Sequence, residues 1–342
     1  MILNLIQFFL LFRITKKLYN QNIAAVFCLL YIFYFANLGM TLLNLTELLF
    51  GVLLSLSVWF ILKRQKLYYL LAGIAAAASI AVRPTGWALL ISLVIFFLFI
   101  QNDSRNRNLI SFVVGVIIFF VVFGTLTKIS SNNIVLSSVN YGTNLLIGAN
   151  PDATGAYNDR AFGEGKVGYL AHPEQLTYLY KQQFWFDQAI KYIANNPIQW
   201  LKIIPLKLVH IFIWDDYAIS PLFMMQDWNL YVIAKHYFIE KNSTGIMNNV
   251  PISIQILYIS FQVFHHLFYY LIMATSFFIL MKNRKKIFKD PMIKLFITII
   301  MLSLSIPLFS FGDPRFKYPY ILMLMVIISP YLYNFLTNTQ KK

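Results

Sequence analysis

The sequence predicts an all-α fold, a polytopic transmembrane helical bundle of about 8–9 spans with a long, partly helical outer loop. Three observations predict it. First, 59% of the 342 residues are hydrophobic and only 12% are charged, with a mean hydropathy of +0.64. Soluble domains are about 45–50% apolar and about 25% charged. Second, a hydrocarbon core about 30 Å thick takes about 20 apolar residues as helix, and stretches of that order recur along the chain. Third, positive charge collects in alternate loops between those stretches, as membrane topology requires. The residue-by-residue alternation of a membrane β-barrel is absent.

The elements follow in order. Met1–Phe12 is apolar, but twelve helical residues reach only about 18 Å. Its bases, Arg13, Lys16 and Lys17, come after the apolar run and not before it, as a signal peptide would require. The segment reads as the second half of a transmembrane helix, with an interfacial helix as the alternative. Spans are expected at 22–40, 42–62, 67–82, 85–101 and 109–128, then at 251–281, 292–311 and 317–336. The two short spans meeting at Arg83-Pro84 form a helical hairpin. The region between 129 and 250 is the one long part that is not membrane-like. Asn150-Pro151 with Gly155, Gly163, Gly165 and Gly168 marks turns. Leu176, Leu179, Tyr180, Phe186, Ala189, Ile190 and Ile193 recur at helical spacing, so a helix is expected to stop near Asn195-Asn196. Pro197 then suits the first turn of another. That helix, 197–214, reads as interfacial or re-entrant, with Lys202 and Lys207 snorkelling toward lipid headgroups.

This order divides the chain into an N-terminal transmembrane bundle at 1–128, an extracytoplasmic region with interfacial helices at 129–250, and C-terminal transmembrane helices at 251–342. Charge sets the orientation. Region 129–250 holds nine of the thirteen acids against eight bases, so it is nearly neutral although the chain carries +15. The excess lies in short loops: Arg13, Lys16 and Lys17; Lys63, Arg64 and Lys66; Arg105 and Arg107; Lys282, Arg284, Lys285, Lys286 and Lys289; Lys341 and Lys342. The only acids among them are Asp103 and Asp290. These loops face the cytoplasm, and the long region faces out with Glu47, Arg83 and Arg315 at span ends. Bases confined to loops beside spans also make nucleic acid a poor partner. The single cysteine, Cys28, excludes an intrachain disulfide and a CxxC metal site. No phosphate-cradling glycine motif, HExxH or GxSxG is present, and no cofactor or metal is implied.

Four places carry candidate chemistry. Glu47, in Asn44-Leu-Thr-Glu-Leu-Leu-Phe, sits at the outer end of a span. An acid kept at membrane depth is a functional candidate; the plainer reading is an interfacial Glu that reaches water or pairs with Arg83. Arg83 precedes Pro84, which pushes it out of helical geometry. Its planar donor fork suits phosphate, or it snorkels to headgroups. Gly312-Asp313-Pro314-Arg315-Phe316-Lys317-Tyr318-Pro319 opens the last span. Its Asp, Arg and Lys beside aromatics suit a lipid phosphate or serve as an interfacial anchor belt. Asp215-Asp216 follows Trp214 and reads as a solvated turn rather than a metal site. His265 and His266 are neighbours that share no helix face. With His210 they read as packed or interfacial. Asn44-Leu-Thr46 and Asn242-Ser-Thr244 fit the glycosylation sequon.

Taken together, the ordered motifs resemble the GT-C class of membrane glycosyltransferases, in the bacterial branch related to protein O-mannosyltransferases and lipid A aminoarabinose transferases. The resemblance rests on Thr46-Glu47 opening a span and on the small-residue span Leu71–Gly86 with its Arg83-Pro84. It rests further on Ala189-Ile190, Asn196-Pro197, Leu201 and Lys207, and on Asp313-Pro-Arg-Phe-Lys-Tyr-Pro319. It implies transfer of a sugar from a polyprenyl-phosphate donor to a hydroxyl on a glycan, lipid or protein acceptor, at the outer face of the cell (inner) membrane. It also implies that Arg315, Arg83 and Lys207 bind the donor phosphate, with Asp313 supporting them. In that class the acid that serves as base lies in the first outer loop. The sequence begins after that point, so the base is expected upstream; Glu47 is the candidate within the chain and is expected to orient Arg83 or the acceptor, not to replace that base. A carrier or flippase for lipid-linked sugars, or an O-antigen polymerase or ligase, are the competing readings. The absence of internal repeats speaks against the first, and the ordered motifs speak against the second.

Overall fold

A computed structural model describes residues 1–43, 46–100, 105–223 and 251–339. Asn44, Asp103, Asp227, Lys235, Glu240, Lys241, the Asn242–Thr244 sequon, Lys341 and Lys342 lie outside the described residues. The structure is all-α. Its helices are α1 (Ile2–Leu18), α2 (Gln21–Phe33), α3 (Ala36–Gly39), α4 (Thr46–Leu62), α5 (Lys66–Val82), α6 (Gly86–Ile95), α7 (Arg105–Ser131), α8 (Tyr141–Gly148), α9 (Tyr178–Asn195), α10 (Pro197–Phe212), α11 (Ile252–Lys282), α12 (Arg284–Ile287), α13 (Pro291–Phe309) and α14 (Tyr318–Thr339). Among the described residues there is no strand, only a single parallel bridge between Ala156 and Gly312.

Four helical stretches are long and apolar enough to cross a membrane: Arg107–Ser131, Ile252–Lys282, Pro291–Phe309 and Pro314–Thr337. Gln21–Phe33, Thr46–Leu62, Lys66–Val82 and Gly86–Ile100 are apolar but shorter. Local chemistry sets several starts. Asn20 caps α2 by accepting from the Ile23 amide at 2.9 Å. Asp290 caps α13 through Met292 and Ile293 at 2.8 and 3.2 Å, with Pro291 in the first turn. Each cap satisfies a donor that the helix itself leaves orphaned.

The chain packs into two units. One gathers Met1–Leu48, Trp214–Ile287 and Tyr318–Lys342. Its apolar helices enclose a polar network, as helices in lipid do when they need directional contacts. Tyr318 donates to Asn37 Oδ1 at 2.9 Å, Asn37 donates to the Tyr31 carbonyl at 2.7 Å, and Asn4 bonds both Asn37 and Tyr31. The other unit gathers Leu49–Ile213 and Phe288–Lys317. Here α5 and α7 lie backbone to backbone. A Cβ on Gly73 would stand 2.1 Å from the Phe112 carbonyl oxygen, and one on Gly115 would stand 2.0 Å from that of Leu70. The small-residue run of α5, with Ala72, Ala75, Ala76 and Ala77 buried, is what lets the helices approach.

Candidate functional site

The site is built in the second unit from a turn and a segment far apart in sequence. Helix α5 stops at Val82 because Pro84 disfavours helical geometry at the residue before it. Arg83 is accordingly extended, at φ −148° and ψ 144°. Its amide still reaches the Ser79 carbonyl at 2.9 Å, and its own carbonyl accepts from Gly86 at 2.9 Å. Gly86 then starts α6 hard against the end of α5, where a Cβ would meet Ile80 N at 2.5 Å. The expected hairpin is formed, with Arg83 at its tip and half-buried.

The segment Gly312–Lys317 follows α13. Gly312 donates to the Gly155 carbonyl at 2.7 Å and packs so closely on α10 that a Cβ would lie 2.2 Å from the Lys207 carbonyl oxygen. Asp313 accepts from the Arg315 amide at 2.9 Å, which opens the short 3-10 turn Pro314–Lys317. The same carboxylate grips the Arg315 guanidinium through Nε at 3.0 Å and Nη2 at 2.8 Å. This two-point fork fixes the plane of the guanidinium, while the side chain stays 31% exposed. The Arg83 guanidinium lies 5.4 Å from the centre of the Phe316 ring, a cation–π distance. The structure therefore brings Arg83 to the segment that carries Asp313 and Arg315.

Two lysines hold the segment from beneath, and both are fully buried. Lys317 Nζ donates to the Ile211 carbonyl at 2.9 Å and to that of Pro314 at 3.4 Å. Lys207 Nζ donates to the carbonyls of Gly148 at 3.0 Å and Leu308 at 2.9 Å, and reaches that of Phe309 at 3.5 Å. Burial pushes the Lys207 ammonium down to about 8. The expectation that Lys207 snorkels to headgroups is corrected, because its ammonium is closed off and spent on backbone oxygens. Glu47 is 3% exposed in the first turn of α4, where an acid complements the helix N-terminus. It belongs to the first unit.

The family of dolichyl-phosphate-mannose-protein mannosyltransferases matches residues 1–127. The chain is GT-C glycosyltransferase-like. The match takes in Glu47 and Arg83, whereas Lys207, Asp313 and Arg315 lie beyond it. Comparison with curated proteins and with solved structures returned no match.

In this GT-C-like chain one polar cluster escaped the sequence reading. Asp215 and Asp216 are buried, at 0% and 6% exposure, and do not form a solvated turn. Asp215 Oδ2 lies 3.0 Å from His265 Nε2, which also meets the Asp215 carbonyl at 2.8 Å. His266 bonds the Gln262 carbonyl through Nδ1 at 2.8 Å and faces the Asp215 amide through Nε2 at 3.5 Å. The two histidines flank Asp215 from one helix although they do not share a face. The only signal in the sequence was an Asp-Asp and a His-His placed in otherwise aromatic and apolar runs.

Proposed function

We propose that this membrane glycosyltransferase-like chain moves a sugar from a polyprenyl-phosphate donor to an acceptor hydroxyl on the extracytoplasmic face of the inner membrane. The observation that carries the proposal is the meeting of two guanidinium-bearing motifs, Arg83 at its hairpin tip and Arg315 in the fork of Asp313, around Phe316. The acceptor oxygen attacks the anomeric carbon and the bond from that carbon to the phosphate oxygen breaks. The electron pair leaves with the lipid phosphate, and the hydroxyl proton passes to a base. Negative charge grows on the leaving phosphate, and preorganised cations stabilise such charge most where water is excluded. Arg315 and Arg83 are assigned to that phosphate. Asp313 orients Arg315, and Lys207 is moved from contact with phosphate to support of the segment.

The outward placement of 129–250 and the interfacial seat of α10 belong to the same proposal. Helix α10 has 16 residues, a length of about 24 Å, less than the roughly 30 Å needed to cross. Ile198, Leu201, Leu208 and Val209 are exposed along it, which suits a helix lying in the headgroup layer. The phosphate reading is tested with farnesyl phosphate as probe on the full chain in detergent. Arg315→Ala is expected to weaken binding by about tenfold or more, the scale of losing a charged hydrogen bond. Arg315→Lys should recover it only in part, since a point charge replaces a fork. Equal affinity in wild type and Arg315→Ala overturns the assignment.

A further inference from the structure

Lys207 has no carboxylate partner among the described residues, yet it is buried completely. Burying an ammonium is costly unless its donors are met. The oxygens that meet them have something in common. Gly148 is the last residue of α8, and Leu308 and Phe309 are the last two of α13. Helix C-termini leave their final carbonyls without intrahelical donors and carry the negative end of the helix dipole. One ammonium thus serves as a shared cap for two helices. Trp200 covers it, with Lys207 Nζ 5.4 Å from the indole and the Phe309 ring 5.7 Å away on the same indole.

The same residue touches the segment through its backbone, because Gly312 packs directly on the Lys207 carbonyl. Residues 308–312 are therefore held at both ends by a single side chain and its own peptide. Asp313 and Arg315 follow immediately. We propose that Lys207 is a positioning residue: by capping α8 and α13 together it sets the pose in which Gly312–Lys317 presents Arg315. The effect on ligand binding rests on the phosphate reading above, whereas the effect on the segment does not.

The charge state of the joint follows from its surroundings. The last turns of α8 and α13 carry no ionisable side chain. On the segment, Asp313 and Arg315 pair with each other and Lys317 bonds the Ile211 and Pro314 carbonyls. Asp152, in the loop after α8, pairs with Lys166 at 2.9 Å. His210 shares α10, and Lys191 on α9 is exposed. Burial lowers the Lys207 ammonium to about 8 from an ordinary 10.5. A neutral amine has two donors where the ammonium has three, so the cap weakens as pH rises through about 8.

The test combines hydrogen–deuterium exchange with farnesyl phosphate binding on the full chain in detergent. Wild type, Lys207→Met and Lys207→Arg are compared at a series of pH values, with protection corrected for the intrinsic pH dependence of exchange. Lys207→Met is expected to lose protection over 308–317 and to weaken farnesyl phosphate by about tenfold, one charged hydrogen bond's worth. Lys207→Arg keeps a charged donor and should recover part of both. Wild type alone should lose protection there between about pH 7 and 9, so the test survives a Lys207→Met chain that does not fold. Unchanged protection in Lys207→Met, or a flat wild-type profile, overturns the proposal. Lost protection with unchanged affinity, in a protein where Arg315→Ala does weaken binding, also overturns it, because Lys207 is then only structural. If Arg315→Ala leaves affinity unchanged, the phosphate reading fails separately, and protection alone decides the role of Lys207.

Discussion

Replacing Gly148 by alanine adds one methyl group at the tightest joint of the candidate site. The new Cβ would stand 1.4 Å from the carbonyl oxygen of Ser310. Non-bonded carbon needs about 3.5 Å, so the end of α8 and the chain after α13 must part by about 2 Å. No flexible side chain absorbs the move, because the obstacle is backbone. The Gly148 carbonyl lies 3.0 Å from Lys207 Nζ, and a displacement of that size ends the hydrogen bond. Overpacking costs about 1–3 kcal/mol, and a hydrogen bond to a charged group contributes about 1.5–3 kcal/mol. Together they predict a loss of about 2.5–6 kcal/mol. At an unfolding entropy of about 2.1 cal/mol/K per residue, that lowers the melting temperature of a chain this size by roughly 3–8 °C. The assay is thermal unfolding of detergent-purified protein followed by tryptophan fluorescence, with farnesyl phosphate affinity measured below the transition. The control is Gly163→Ala, whose Cβ meets nothing nearer than 3.8 Å and whose φ of −66° suits alanine. A Gly148→Ala protein that melts and binds like the Gly163→Ala control refutes the close approach and the joint built on it.

Two further outcomes are expected. In a Cys28→Ser background, Asn133→Cys and Glu164→Cys should react with a membrane-impermeant thiol reagent in intact cells, while Lys285→Cys should react only after lysis. All three positions are exposed, so the reverse pattern would invert the assigned orientation. Asp215→Asn keeps the shape of the buried carboxylate but removes its charge from the contact with His265, 3.0 Å away. It should destabilise the chain by about 1.5–3 kcal/mol, read as a fall in melting temperature. Asp313→Asn, a partly exposed position, should leave melting nearly unchanged, and equal melting of Asp215→Asn and wild type would remove the buried cluster from the stability of its unit.

The sequence reveals most where a single segment decides its own structure. Apolar runs placed α4, α5, α7, α11, α13 and α14 within a few residues, and Pro84 and Pro197 marked where chain direction changes. Legibility fails where a distant partner decides. The expected span 22–40 ends early, at Phe33, and restarts as α3, whose Gly39 sits where a Cβ would be 1.4 Å from the Ala218 carbonyl oxygen. Nothing near Gly39 announces that contact. Asp215 reads as solvated because it follows α10 in non-helical chain and its partner, His265, lies fifty residues on, in α11. The two lysines are the more general case. Read from sequence alone, Lys207 in its apolar run is sent to the membrane surface. The fold supplies backbone oxygens: the carbonyls of Gly148 and Leu308 meet Lys207, and that of Ile211 is one partner of Lys317. Every helix ends in orphaned carbonyls, and a chain made almost wholly of helices in an apolar medium has many of them and few acids. A lysine in an apolar run is then a natural cap for a neighbouring helix. Here Lys207 and Lys317 converge on the segment that carries Arg315, and the position of Lys207 becomes informative when it is read as a cap on two helices.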